Sequence, residues 1–174
     1  MVVALAGIGF GASPPTGTGV DSIMPDDRFE VTPLASAVEI AAAAKRVWAI
    51  LTDFSAYPQW NPFIVSIEGR LKSGAILTLQ LALPGKPVMT FKPRLKIVSS
   101  PRELRWVSQV LAPGLFEGEH GFRIEPLASD RCRLHSVEDF SGVFVPILVP
   151  GLQQASRAGF EAMKQAVKER AERK

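Results

Sequence analysis

Along the chain, apolar residues recur every second position, then at helical spacing, then every second position again over a long stretch, and finally at helical spacing to the end. Period two marks a strand with one buried face; recurrence at i, i+3, i+4 and i+7 marks an amphipathic helix. In "LASAVEI", Leu34, Ser36, Val38 and Ile40 share a face and predict a first strand. In "AAAAKRVWAILTDF", Val47, Ile50, Leu51 and Phe54 predict a helix of about three turns, with no Ser, Thr or Asp to cap its start. "SAYPQWNP" then stops it. Pro58 and Pro62 lack backbone donors and push Tyr57 and Asn61 away from helical angles, so at most one short helical turn fits between them.

Six strands follow. "FIVSIEGRL" sets Phe63, Val65, Ile67 and Leu71 against Ser66, Glu68 and Arg70. "AILTLQLAL" groups Leu77, Leu79, Leu81 and Leu83. "VMTFKPRLKIVSS", read as one strand, sets Met89, Phe91, Leu95 and Ile97 against Lys92, Arg94 and Lys96. "ELRWVSQVL" aligns Leu104, Trp106, Ser108 and Val110. "LFEGEHGFRIEPL" aligns Phe116, Gly118, His120, Phe122 and Ile124, and "RCRLHSVEDFSG" aligns Cys132, Leu134, Ser136, Glu138 and Phe140. Turn signals between them predict an antiparallel meander. From Pro150 the pattern predicts a long helix with a stripe of Leu152, Ala155, Phe160, Met163 and Val167. Gly159 falls on that side, where it permits close approach, and Lys164, Lys168, Glu169 and Arg170 lie off or beside it.

The fold class is therefore α+β: an antiparallel sheet of six or seven strands, covered by one long C-terminal helix, with two short helices after the first strand. One helix about 10 Å wide does not cover so broad a sheet. The inward faces mix large residues with Gly69, Ser108, Gly118, His120, Ser136 and Glu138, and filled cores avoid unpartnered polar groups. An internal space is the expectation. Its lining would come from Trp60 and Phe63 after the first helix, and from Leu79, Phe91, Trp106, Ser108 and Phe116 on the strands. His120, Phe122, Ser136, Glu138 and Phe140 would continue it, with Phe160 and Met163 on the final helix. Phe54, Tyr57, Trp60 and Phe63 would close one mouth; plain core packing is the alternative reading.

Composition narrows the function. The chain has 174 residues, is 47% hydrophobic and carries a net charge of +3, with no Lys/Arg cluster dense enough for a phosphate-tracking groove, so nucleic acid is not an expected partner. A single cysteine, Cys132, excludes an internal disulfide, and with two histidines, His120 and His135, a His-based metal centre would need carboxylates. No metal or cofactor is expected. No Gly-x-Ser-x-Gly, phosphate loop or dinucleotide fingerprint occurs. Residues 1–33 form a separate segment: the apolar "MVVALAGIGFGAS" is too short to span a bilayer and lacks the positive charge of a signal peptide, and an acidic stretch follows. This reads as an extension, with Met24 as an alternative start. The domain proper is 34–174, with a cytoplasmic location and export as the lesser reading. Oligomeric state is not legible.

"VEIAAAAKRVWAILTDFSAYPQWNPFI", followed by "LFEGEHGFRI", "EDFSGVF" and a long final helix, resembles the START/Bet v 1-like (SRPBCC) superfamily over residues 34–172. Within it, the chain is most similar to the polyketide cyclase/dehydrase and lipid-transport group. The resemblance implies a helix-grip fold: a curved sheet around the C-terminal helix, enclosing an apolar tunnel. Members bind lipids, sterols or polyketides, and some cyclise or dehydrate polyketides; fold alone does not decide between these.

His120 and Glu138 are the foremost candidate pair. If "ASD" closes the hairpin with Ile124 near Cys132, His120 faces Ser136 and Glu138 lies on the neighbouring diagonal, within reach of a long side chain. Proton transfer, orientation of a ligand carbonyl and a mere structural hydrogen bond all stay open. His135 points to the opposite, solvated face, and Cys132 reads as a small hydrophobe. The Lys92, Arg94, Lys96 and Arg105 face reads as a solvated exterior. The apolar "GVFVPILVPG", 142–151, reads either as a gate in transient contact with membranes or as a buried crossover. Two functions follow: a carrier or sensor for a small hydrophobic ligand, and, as the alternative, a cyclase/dehydratase-type enzyme using His120 and Glu138.

Overall fold

A computed structural model of the chain describes residues 36–83, 85–110, 115–141 and 145–173, with side chains at all of these but 110 and 145–156. The extension 1–33, the alternative start Met24 and the first part of the apolar 142–151 segment lie outside the described residues. In chain order the elements are β1 (Ala37–Ile40), α1 (Ala44–Thr52), a 3-10 turn (Phe54–Ala56), α2 (Tyr57–Trp60), β2 (Ile64–Glu68) and β3 (Thr78–Leu81). They continue with β4 (Met89–Phe91), β5 (Arg94–Ser99), β6 (Glu103–Val110), β7 (Phe116–Ala128), β8 (Arg131–Ser141) and α3 (Val145–Glu172).

The α+β helix-grip layout is present, but the described strands divide into two antiparallel sheets, β1-β8-β7-β6-β5 and β2-β3-β4. The division falls where one strand was expected, at Lys92–Pro93. Pro93 supplies no backbone donor, so the ladder breaks there and β4 ends before β5 begins. The chain leading into β3 bridges the seam: Gly74 N donates to Leu95 O, Leu95 N to Ala75 O and Leu77 N to Pro93 O, each at 2.8 Å.

Four other expectations are corrected by local geometry. A bulge between Ile64 and Ser66 resets the alternation of β2, so Phe63, Ile64 and Ile67 are buried, while Leu71 lies beyond the strand and is 39% exposed. Gly69 likewise lies past the end of β2, at φ +136, and not on the inward face of a strand. A second bulge, between Leu95 and Ile97, puts Ile97 opposite Arg105 and hands the inward position to Val98, opposite Leu104. Finally, α3 starts at Val145, five residues before the expected Pro150. Pro146 falls in the first turn, where a missing N–H is harmless, and Pro150 forfeits one backbone bond in the second. At 28 residues the helix is about 42 Å long.

Other features follow the pattern. α1 buries Val47 and Leu51 and has no side-chain cap, and α2 is a single turn with Pro58 near its start. Asn61 is extended as expected (φ −91, ψ 114), but the expectation for Tyr57 is corrected, since it is helical (φ −53, ψ −43) and opens α2 despite preceding Pro58. The Tyr57 hydroxyl donates to Leu51 O at 2.7 Å, and the Asn61 carboxamide oxygen accepts from the backbone N–H of Phe63 at 3.0 Å and of Ile64 at 2.9 Å. These bonds fix the bend that carries the aromatic cluster, with Tyr57 between Phe54 (ring centroids 6.0 Å apart) and Trp60 (4.9 Å). Gly159 permits the approach expected of it: a Cβ there would lie 2.2 Å from Phe63 Cδ2. Phe63 is accordingly packed beneath α3, in contact with Phe160 at 4.9 Å.

Candidate functional site

The inner face of the five-stranded sheet, the face that meets α3, is organised in rows. Residues directly opposite in an antiparallel pair share a face. Trp106, His120 and Glu138 form one row across β6, β7 and β8. Leu104, Phe122 and Ser136 form the row on one side, and Ser108, Gly118 and Phe140 the row on the other. His120 therefore faces Glu138 directly and not Ser136, a correction of two residues in register. The hairpin closes more tightly than expected, with Pro126 opposite Cys132 and Ala128 opposite Arg131. Pro126 is accommodated because β6 has ended by Arg123, leaving that side of β7 without a ladder partner.

The imidazole of His120 is held by rings. It stacks on Phe160 of α3 (5.5 Å, 19° between planes) and meets Phe140 edge to face (5.7 Å, 83°), while Phe140 stacks on Phe116 (5.7 Å). Gly118 leaves the needed room, since a Cβ there would come within 3.0 Å of His120 Nε2. Trp106 packs edge to face on Phe122 at 5.9 Å.

Within this apolar frame, three polar atoms are buried without a hydrogen-bond partner: His120 Nδ1, Glu138 Oε1 and Ser136 Oγ. Nδ1 and Oε1 stand 3.5 Å apart, beyond the 2.5–3.2 Å of a real hydrogen bond. Glu138 is 5% exposed and Ser136 4%. Burial, which penalises the charged form, pushes the Glu138 carboxyl up to about 7 and the His120 imidazole down to about 4; for His120 the charge of Glu119 on the outer face acts weakly the other way. At neutral pH the imidazole is uncharged and the carboxyl is poised between its two forms. Both can donate or accept a hydrogen bond, and neither Nδ1 nor Oε1 has a hydrogen-bond partner in the protein.

The remaining expected lining residues divide. Phe122 and Met163 are fully buried in the core, as are Phe63 and Trp106 to within a few per cent. Leu79 and Phe91 pair with each other across β3 and β4, in the other sheet. Ser108 is half-buried opposite Gly118. Trp60 is half-buried with its indole N–H unpartnered, and the Asn61 amide nitrogen is in the same condition. Cys132 is buried opposite Ile40 and burial raises its thiol, so it is packing and not a nucleophile. His135 lies on the outer face, 3.1 Å from Glu125. There too, Lys96 and Arg105 both pair with Glu119, while Arg94 donates to the Gly74 carbonyl at 3.0 Å and Lys92 is exposed.

Lys164, beside the stripe, is buried more deeply than its neighbours there. It is only 2% exposed, and its ammonium donates to Ser36 Oγ and, at 2.9 Å, to Glu161. The only available signal was its place one residue after Met163, at the border of the stripe, where a long stem can lie along apolar surface. Among the described residues no group of three or more His, Cys, Asp or Glu is placed to hold a metal ion, and no helix is long and apolar enough to cross a membrane.

Known proteins show the same architecture. The chain is similar to a START superfamily protein from Mycobacterium smegmatis, with 25% identity, a TM-score of 0.63 and 79% of this chain and 95% of that one covered. It is similar to the Zhui aromatase/cyclase from Streptomyces sp. R1128, with 23% identity, a TM-score of 0.64 and 80% and 92% covered. A truncated norcoclaurine synthase from Thalictrum flavum matches with 19% identity, a TM-score of 0.62 and 80% and 93% covered. No curated protein matches. Residues 29–168 match the family described as polyketide cyclase / dehydrase and lipid transport, and with most of its length so matched the chain belongs to that family.

Proposed function

We propose that this chain binds a small, largely apolar molecule between the inner face of the five-stranded sheet and α3, as a carrier or sensor. The observation that carries the reading is the cluster of three buried, unpartnered polar atoms on adjacent rows, His120 Nδ1, Glu138 Oε1 and Ser136 Oγ. A buried polar group without a partner costs about 1–3 kcal/mol, and natural proteins rarely leave several side by side. A guest with one hydroxyl or carbonyl edge would satisfy them, while the rings of Phe116, Phe140 and Phe160 would supply apolar contact. The family and its similar structures, which include a START superfamily protein and an aromatase/cyclase, support small-molecule binding.

A second reading, a cyclase/dehydratase-type reaction, is favoured by one observation. The shifted carboxyl and imidazole are within a short movement of each other, so a proton could pass between either of them and a guest near neutral pH. Native mass spectrometry of protein purified from its own source tests the binding reading, with a retained compound as the expected result. No retained mass, together with no rise in melting temperature across a lipid and polyketide panel, would overturn it. Once a compound is known, His120→Ala and Glu138→Gln separate the readings: an enzyme loses turnover with affinity changed modestly, whereas a carrier loses affinity and shows no turnover to lose.

A further inference from the structure

A second site lies away from the His120 row, in a groove between α1 and the last turns of α3. It has a volume of about 460 Å³ and is lined by Arg46, Ala49, Ile50, Asp53, Ala56, Arg170 and Arg173. The geometry points to this groove as a binding site for a phosphate group carried on a small organic body. Three guanidiniums border it against a single carboxylate, Asp53, which already accepts a hydrogen bond from the Ser55 hydroxyl at 2.6 Å. Arg46 donates through Nη2 to the carbonyl of Arg173, which fixes the Arg46 side chain across the groove and leaves its other donors.

Among the described residues, the arginines of this groove lack the carboxylate partners that two arginines of the sheet have. On the sheet, Arg133 pairs with Glu39 and Glu125, and Arg105 with Glu103 and Glu119. Among the described residues no carboxylate pairs with Arg46, Arg170 or Arg173. The acids nearest in sequence are engaged by other groups: Glu172 accepts from Lys168 at 2.7 Å and from Ala41 N at 2.8 Å, and Glu169 accepts from Gln165 at 3.1 Å. The groove thus keeps a positive excess that its own surroundings do not neutralise. Planar guanidiniums match the oxygens of a phosphate in pairs. The floor of Ala49, Ile50 and Ala56 is apolar, and the space exceeds what a bare oxyanion fills, so the group it takes is an organic phosphate. A soluble phosphate ester and a lipid headgroup share that chemistry.

The test uses the full chain and two probes: glycerol 3-phosphate by calorimetry, and phosphatidylcholine vesicles with and without phosphatidylglycerol by co-sedimentation at low and physiological salt. Saturable binding of the ester assigns a soluble ligand, and binding to the anionic vesicles alone assigns a headgroup; either supports the site. The paired substitution Arg170→Ala with Arg173→Ala should weaken the binding at least tenfold, with circular dichroism confirming the fold. Lys86→Ala with Lys92→Ala removes the same charge from exposed positions outside the groove and should leave binding unchanged. No saturable binding to either probe, or an equal loss in the Lys86/Lys92 protein, overturns the inference.

Discussion

The β7–β8 hairpin carries two histidine–glutamate pairs, one on each face, and the same two side-chain types behave in opposite ways. On the outer face, His135 and Glu125 meet at 3.1 Å, and the hydrogen bond from His135, helped by Arg133, holds the Glu125 carboxyl below its usual value. On the inner face, His120 and Glu138 stand 3.5 Å apart, and burial drives the carboxyl up and the imidazole down. Residue identity and hairpin are shared, so solvation makes the difference. Outside, water and neighbouring charges favour the charged Glu125 carboxylate, in a contact of little energetic consequence. Inside, the low dielectric favours neutral forms and leaves their hydrogen-bonding capacity for something else.

The largest effect expected from probing this contrast is on stability. Trp106→Ala, in the row of His120, should lose about 3–5 kcal/mol in urea unfolding, whereas Gln109→Ala on the outer face should stay within about 0.5 kcal/mol. Comparable losses would mean that the two faces are not energetically distinct.

Next comes pH. Glu138, raised from 4.5 to about 7, contributes stability that is full below pH 4.5 and is lost as pH rises through 7. His120, lowered from 6.5 to about 4, does the reverse: its contribution is full above pH 6.5 and is lost as pH falls through 4. Between pH 4.5 and 6.5 the two slopes oppose and cancel. Substituting either residue should unmask the other, over a range of up to about 3 kcal/mol. Glu138→Gln should become less stable as the solution is acidified, and His120→Phe as it is made alkaline. Parallel slopes in the two variants, measured by urea midpoints across pH, would contradict these assignments.

A smaller effect is expected on guest binding. Ser136→Ala removes one of the three open groups and should weaken affinity for a retained compound about tenfold, or 1.4 kcal/mol, by titration calorimetry. His135→Asn should not change that affinity. The smallest effect belongs to Glu125→Gln, for which no shift of the urea midpoint is expected at physiological salt.

Much of this contrast was legible in the sequence. Strict alternation in "GEHGFRI" and "RLHSVED" places His120 and Glu138 on one face and His135 on the other, because the pleat allows no other arrangement without a bulge. The pairing across the hairpin was not legible. It depends on how many residues the turn spends, which neither composition nor alternation states. The bulges at Val65 and Lys96 were equally hidden, since an inserted residue has no compositional mark; they moved Ile97 outward and Val98 inward. Lys164 was hidden for another reason: its stem is apolar enough for a helix stripe, and only the fold supplies Ser36 for its ammonium. The arginines of the α1–α3 groove come from both ends of the chain, so no window of sequence brings them together.

The missing side chain at Gly159 acts as a notch into which the Phe63 ring is keyed. A notch admits one ring at one height, so α3 has a single seating depth against the segment that follows α2. Phe160 is the next residue along, and its ring is the platform beneath the imidazole of His120. The position of that platform is therefore set by an absence one residue away: a methyl group added at 159 would strike the Phe63 ring first and reach the histidine through the displaced Phe160.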